Sequence, residues 1–477
     1  MKVIVASMYE QGHQSLSCLA VAAEIRSAGH EADIFDYDRQ ESYDSSLFDR
    51  LATADALVIS VPMHTASAIA LHVLERVVRI YPDLPCAFFG LYATALSDAD
   101  LPNQVTLLAS GEARSDVVNW LGHIQGYPQT PWPERVVISR KKEPTKLDAQ
   151  KLDRSALPSL SNYAKLKVGD SERIVGYTEA SRGCLHSCTH CPVPVVYGGR
   201  MRINDPQWVL DDIDQLVTMG AKHITFGDPD FFNAPVHSMR ILRAMNRRHP
   251  DLTFDATIKV QHLIEHQRYL PELASLGCAF LVSAFEHVSD VVLEKLRKEH
   301  TRKDIETALA LTRRAGIEIR PSLLPFTPWT TPEDIIDLFN FVIEQDLINN
   351  VDPIQLTIRL LVPRGSLLLS QPVSGDTFLE STSDPLGFTW KSRFSQLDHL
   401  AGELAHWVEI WLSSDSPSEI FDKMYRLACE VLGMRYVEPD YRQFALREVP
   451  QLSESWFCCA EPAPKMLARS LDSHCDS

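Results

Sequence analysis

The sequence predicts an α/β protein: a doubly wound parallel sheet at the N-terminus, a central partial (β/α)6 barrel, and a helical C-terminal region ending in a cysteine-containing tail. Three observations predict it. Short β-rich apolar runs alternate with helical stretches over residues 1–125, the signature of parallel strands joined by crossover helices. The alternation resumes at residue 174 with a longer period, giving six strand-like runs before residue 362. Between them, residues 126–172 are rich in Pro, Ser and charge and read as an extended connection.

Size and charge agree with that plan. The chain has 477 residues, 45% apolar and 23% charged, an ordinary globular balance that excludes a disordered or fibrous chain and suggests about three domains. With 46 Lys and Arg against 63 Asp and Glu, the net charge is −17. No sustained basic run offsets it, so neither nucleic acid nor an anionic membrane is expected as a partner. No apolar stretch reaches the ~18 residues of a membrane span. The start, Met1-Lys2-Val3-Ile4-Val5-Ala6, enters a strand directly and lacks the pattern of a signal peptide, so a cytoplasmic location is expected.

In the front unit, strands are expected at 3–7, 31–36, 56–61 and 86–90, with helices at 14–28 and 65–80. Ligands of such sheets bind beyond the carboxyl ends of the strands, which here carry residues 8–13, 62–64 and 90–94. No G-x-G-x-x-G occurs, so a dinucleotide reading has little support. In the second unit, strands are expected at 174–178, 223–228, 253–259, 279–285, 317–323 and 354–361. Asp205 as N-cap, with Pro206 behind it, opens a helix at 206–219. Chemistry in such barrels belongs to the C-terminal ends of the strands. Helices at 395–412 and 417–432 follow. The chain thus divides at 1–125, 126–172, 173–370 and 371–477.

Ten cysteines in an intracellular-type chain do not read as a disulfide framework. Cys18, Cys86, Cys278 and Cys429 stand alone and suit buried apolar positions. Cys184, Cys188 and Cys191 do not. They form C-x3-C-x2-C directly after the first barrel strand, within Ser181-Arg182-Gly183-Cys184-Leu185-His186-Ser187-Cys188-Thr189-His190-Cys191-Pro192. Three thiolates on one loop can ligate three irons of a [4Fe–4S] cluster and leave the fourth open for chemistry. The competing reading is a zinc site made from these cysteines with His186 or His190, and with it a non-enzymatic zinc-binding interaction protein.

This triplet, on the loop after the first barrel strand, resembles the hallmark of the radical S-adenosylmethionine (SAM) superfamily, and the resemblance extends over about residues 170–370. His190 stands where the family usually has an aromatic residue. The resemblance implies a [4Fe–4S] cluster on Cys184, Cys188 and Cys191, SAM as co-substrate, and a flavodoxin- or ferredoxin-type electron donor. The segment Phe226-Gly227-Asp228 looks like the motif that receives the methionine amine, with Lys259 and Glu286 as further SAM contacts. Arg320 and Arg359 are candidate forks for the SAM carboxylate.

Residues 1–125 and the connection resemble the cobalamin-binding half of cobalamin-dependent radical SAM enzymes, through Gly111-Glu112 and Leu157-Pro158-x-Leu160-x-x-Tyr163. The D-x-H-x-x-G lower-ligand signature is absent: His13 lies in the right loop without its Asp and Gly. A retained domain without its cofactor is therefore favoured over bound cobalamin. Finally, Phe457-Cys458-Cys459-Ala460-Glu461-Pro462 resembles the tail of the CUAEP/CCAEP-tail radical SAM proteins, some of which carry selenocysteine. A selenium-tolerant position implies a soft nucleophile or ligand, and Cys475 is a candidate third sulfur. Similar enzymes act in the pathway to the arsenic antibiotic arsinothricin. The resemblance implies transfer of SAM's 3-amino-3-carboxypropyl group to a small-molecule acceptor, arsenite. The alternative is a cobalamin-dependent radical SAM methyltransferase.

Overall fold

The structure is a computed structural model describing residues 1–39, 43–126, 135–138, 146–147, 151–370, 379–380, 386–440 and 448–454. Cys458, Cys459 and Cys475 lie outside the described residues.

The front sheet has six strands in the order Glu31–Asp36, Lys2–Ser7, Ala56–Ser60, Cys86–Phe89, Val105–Ala109, Val136–Ile138. All neighbours are parallel. Strand alternation sorts the core into two layers. Ile4 and Ala6 pack with the helix His64–Ile80, while Val3 and Val5 pack with Leu16–Ser27 and Arg114–Gly126. This is the doubly wound arrangement. Its order reverses beside Lys2–Ser7, so the loops after that strand and after Ala56–Ser60 frame the crevice where such sheets take ligands.

The second sheet curls into a half-barrel. Ser171–Thr178, His223–Phe226, Thr253–Thr257, Cys278–Glu286 and Glu318–Leu323 lie side by side in parallel. The expected sixth strand, 354–361, differs. Pro353–Thr357 is a 3₁₀ turn, and the chain rejoins the sheet through one parallel bridge between Phe326 and Arg359. Pro353 has no N–H to give a ladder, and the Gln355 side chain accepts the Leu323 N–H at 3.0 Å in place of a strand carbonyl. The helix Pro206–Thr218 starts as expected, with Asp205 accepting from Gln207 and Trp208 N–H groups. Ser395–Trp411 and Pro417–Leu432 pack Leu400, Leu404, Phe421 and Met424 into the same apolar core as the barrel.

Several buried polar contacts join the front sheet to the barrel. Arg154, in the connection, is fully buried and donates to Asp212 at 2.7 and 2.9 Å, to the Tyr177 carbonyl at 2.7 Å and to Gln14 at 3.2 Å. Tyr163 donates to Asp36 at 2.6 Å. Glu112 accepts from Tyr197 at 3.0 Å and from Arg202. At the other end, Gln451–Leu452 adds an antiparallel strand beside Lys165–Val168, which brings Glu454 next to Gly12 and 3.9 Å from Arg39. No helix among the described residues is long and apolar enough to cross a membrane.

Candidate active site

The first barrel strand ends at Thr178, and Ser181–Gly183 then pairs antiparallel with Met201–Asn204 beneath the cysteine loop. Gly183 has φ +78°, and a Cβ there would fall 2.4 Å from the Arg200 carbonyl oxygen. Only glycine can make this turn. Asp228 fixes it from the second strand: its carboxylate accepts the Ala180 N–H at 2.9 Å and the Ser181 hydroxyl at 2.5 Å. Burial raises the Asp228 pKa to about 7, against those hydrogen bonds.

Within the loop, Cys188 is buried while Cys184 and Cys191 are partly exposed. Leu185 N–H donates to Asn233 at 3.4 Å, Thr189 N–H to the Leu296 carbonyl at 3.1 Å, and the Ser366 hydroxyl to the Thr189 carbonyl at 3.3 Å. Burial pushes the Cys184 thiol up, with the His186 backbone and Asn233 opposing. Such a thiol ionises when a metal takes its sulfur. A single zinc ion would require four ligand atoms within about 4 Å of one another. Among the described residues, the compact groups of His, Cys, Asp and Glu atoms include none of these three cysteines. A cluster, in which each thiolate meets a different iron, suits three separated sulfurs on one loop. The loop fits a [4Fe–4S] cluster.

Glu286 ends the fourth strand at φ +63° and is fully buried. Its carboxylate lies 3.0 Å from Lys298 Nζ and 3.2 Å from His190 Nε2. Burial alone would raise its pKa, but Lys298 and His190 together hold it well below the ordinary carboxylate range. Lys259 Nζ reaches Glu299 at 2.6 Å and His186 Nδ1 at 2.9 Å. Asp228, Lys259 and Glu286 thus gather on the cysteine loop through Ser181, His186 and His190. The other expected SAM residues do not. Phe226 packs against Phe231 and Phe254 in the core, and Gly227 gives its N–H to the Thr178 carbonyl at 2.8 Å. Arg320 is buried on Asp352 at 2.5 Å. Arg359 donates to Asp398 at 2.7 Å and lies over the Trp390 ring. Lys298 and Glu299 escaped sequence reading, since a run such as Arg297-Lys298-Glu299-His300 reads as a solvated face.

On the front-sheet side, a cavity of ≈ 50 Å³ is lined by Leu91, Tyr92, His190, Cys191, Arg364 and Ser366 among others. His13 stacks on Tyr177 at 4.9 Å, and burial lowers its pKa to about 4. His13 is thus engaged by a ring.

Residues 178–342 match the family model described as the radical SAM superfamily. The ribosomal protein uS12 methylthiotransferase RimO of Porphyromonas gingivalis is 25% identical over 228 residues, covering 44% of this chain and 52% of that protein. The RimO of Bacteroides thetaiotaomicron is 22% identical over 176 residues, covering 35% and 40%. The chain spans about half the length, or less, of these relatives. In three dimensions it is similar to the cobalamin-dependent SAM radical enzyme OxsB with aqua-cobalamin and SAM bound. The TM-score is 0.69 at 12% identity, covering 91% of this chain and 72% of that one. It is also similar to the radical SAM methyltransferase TsrM of Kitasatospora setae, with TM-score 0.55 at 16% identity, covering 72% and 71%. A radical SAM domain implies a [4Fe–4S] cluster and SAM, and the cobalamin-bound neighbours show that the fold admits cobalamin. With its cysteine loop and half-barrel, the segment 178–342 is similar to the radical SAM superfamily, whose family model it matches.

Proposed function

We propose that this enzyme reductively cleaves SAM and transfers its 3-amino-3-carboxypropyl group to a soft, thiol-bound acceptor, arsenite. The observation that carries this reading is the close seat of loop residues 91–95 on the cysteine loop. The small cavity there, beside Cys191 and His190, suits a small inorganic acceptor.

The [4Fe–4S] cluster, when bound, supplies an electron to the sulfonium of SAM. The protein holds the reactants. Asp228 fixes the turn that leads into the cysteine loop. Glu286 positions His190 beside Cys191, with its own charge compensated by Lys298. In this reading Lys259 belongs to the SAM site, while Arg320 and Arg359 are engaged by Asp352 and Asp398. The tail supports the choice of acceptor. Glu454 lies beside Gly12, on the front-sheet side of the barrel, and Cys458 and Cys459 follow within about 13–18 Å of extended chain. With Cys475, they would present soft thiolates to a soft ion.

The step balances. SAM, As(OH)3, two electrons and one proton give methylthioadenosine, the 3-amino-3-carboxypropyl arsonous acid and water. One C–S bond breaks, one C–As bond forms, and both electrons come from a flavodoxin- or ferredoxin-type donor. A second reading, cobalamin-dependent methyl transfer, is favoured by the likeness of the whole fold to cobalamin-bound enzymes. Product analysis under anaerobic, reducing conditions with arsenite separates the two. Methylthioadenosine formed without added cobalamin supports the first; S-adenosylhomocysteine or 5′-deoxyadenosine formed only with cobalamin supports the second.

A further inference from the structure

We infer that His186, Asp230 and His262 form a binding site for a divalent first-row transition-metal ion, distinct from the cluster. The three residues come from three elements that meet at the barrel mouth. His186 is the midpoint of the Cys184–Cys188 segment. Asp230 precedes the 3₁₀ turn Phe231–Asn233 after the second strand, and His262 lies in the helix Val260–Glu265 after the third.

Three buried atoms, His186 Nε2, Asp230 Oδ2 and His262 Nδ1, converge there with no partner beyond one another. Asp230 Oδ2 is 2.7 Å from His262 Nδ1 and 3.6 Å from His186 Nε2, and all three lie within 4.8 Å of one another. Ligands around one such ion stand about 3.0–3.5 Å apart, so shifts of an ångström or less would seat it. Buried polar atoms without partners are rare in native folds. Three aimed at one point are rarer still.

The opposite edges of the same side chains are already anchored. Asp230 Oδ1 accepts the N–H groups of Phe232 at 3.2 Å and Lys259 at 3.4 Å. His186 Nδ1 lies 2.8 Å from Glu299 Oε2 and 2.9 Å from Lys259 Nζ; with the proton on Nδ1, the ring donates to Glu299. A ring nitrogen that donates to a carboxylate leaves the other nitrogen's lone pair free for a metal, the usual support behind a ligating histidine. The Lys259 ammonium meets the same Glu299 carboxylate at 2.6 Å, so its charge is paired behind the ring and not at the converging atoms. The two imidazole rings are 4.8 Å apart and tilted by 56°, converging rather than stacked. Two imidazoles and one carboxylate suit zinc or ferrous iron and leave coordination positions open. A metal held here ties the middle of the cysteine loop to the ends of the second and third strands.

The test uses the reconstituted holoenzyme with its cluster intact, loaded with zinc alone and desalted. We expect one zinc per chain, and X-ray absorption at the zinc edge showing only nitrogen and oxygen neighbours at about 2.0–2.2 Å. His262→Ala and Asp230→Asn should each weaken zinc binding about tenfold or more while iron content stays unchanged. Zinc absent from the wild-type holoenzyme, sulfur in its first shell, or undiminished zinc binding in both variants would overturn the site. The last two outcomes would leave His262 and Asp230 as a plain ion pair. The wild-type spectrum decides the matter even where a variant folds poorly.

Discussion

The ring of His13, in the loop after the first front strand, stacks on the ring of Tyr177 in the first barrel strand, with centroids 4.9 Å apart. The same tyrosine bounds Gly227 at the end of the second barrel strand, where a Cβ would fall 1.9 Å from its hydroxyl oxygen and 2.1 Å from the carbon bearing it. One ring therefore sets both the contact between front sheet and barrel and the room available to the turn bearing Asp228 and Asp230.

Gly227→Ala should force that ring away from His13 and destabilise the fold by about 1–3 kcal/mol. Tyr177→Ala in the same chain should recover part of the loss. Denaturant unfolding of both single variants and the double variant measures the coupling. Strictly additive losses would show that the ring is not the obstacle.

Cys184→Ala, Cys188→Ala and Cys191→Ala should each abolish the cluster's absorbance and SAM cleavage together. Iron analysis and chromatography of the adenosine products check this. An active single variant carrying its cluster would contradict the ligand assignment.

Lys298→Met removes the lysine cation from the buried Glu286 carboxylate. Breaking a buried pair in this way costs about 3–5 kcal/mol, so the variant should unfold at markedly lower denaturant. Lys298→Met combined with Glu286→Gln should regain most of the loss. A double variant no more stable than the single one would show that the uncompensated carboxylate is not the cause.

Asp36 supplies a pH dependence with a definite sign. Burial raises its pKa to about 7 from an ordinary 3.8, against the hydrogen bond from Tyr163. The folded state therefore binds this proton more tightly than the unfolded chain. Its contribution to stability is fully present below pH 4, declines as pH rises, and is gone above about 7, a change of up to about 4 kcal/mol. Asp36→Asn should flatten the stability profile of the front sheet between pH 4 and 7. A profile as steep as wild type would exclude this carboxyl.

For the tail, Cys458→Ser and Cys459→Ser should lose transfer to arsenite while retaining the cluster and SAM binding. Cys475→Ser should have the milder effect. Product assays beside SAM titrations distinguish these outcomes, and full transfer by the Cys458/Cys459 double variant would remove the tail from the reaction.

What the sequence made legible follows from local rules. Glu31–Asp36 and Pro417–Leu432 have the expected bounds, because an apolar β-rich run and a capping box at Ser416 and Glu419 are local signals. The strand Val136–Ile138 lies in what reads as an extended connection, and the segment 354–361 reads as a strand that Gln355 and Pro353 replace. These depend on which neighbour supplies hydrogen bonds, which no local pattern encodes. At the site, the cysteine spacing is a local signal that points to the cluster loop. The residues that support it, Lys298 for Glu286 and Glu299 for His186, lie 12 and 113 positions from their partners. Arg359 looked like an anion fork, but Asp398, 39 residues away, occupies it.

Arg154 bears on whether the two lobes are portable. It sits in neither sheet, yet its guanidinium contacts a front-loop glutamine, a barrel-strand carbonyl and a barrel-helix carboxylate, with no exposure to solvent. A barrel excised at residue 173 would keep Asp212, buried in the intact chain, with the Thr178 hydroxyl as a remaining donor and without this cation. A front sheet cut before residue 151 would lose the arginine as well. Grafting either lobe onto another protein therefore requires carrying this short connection along.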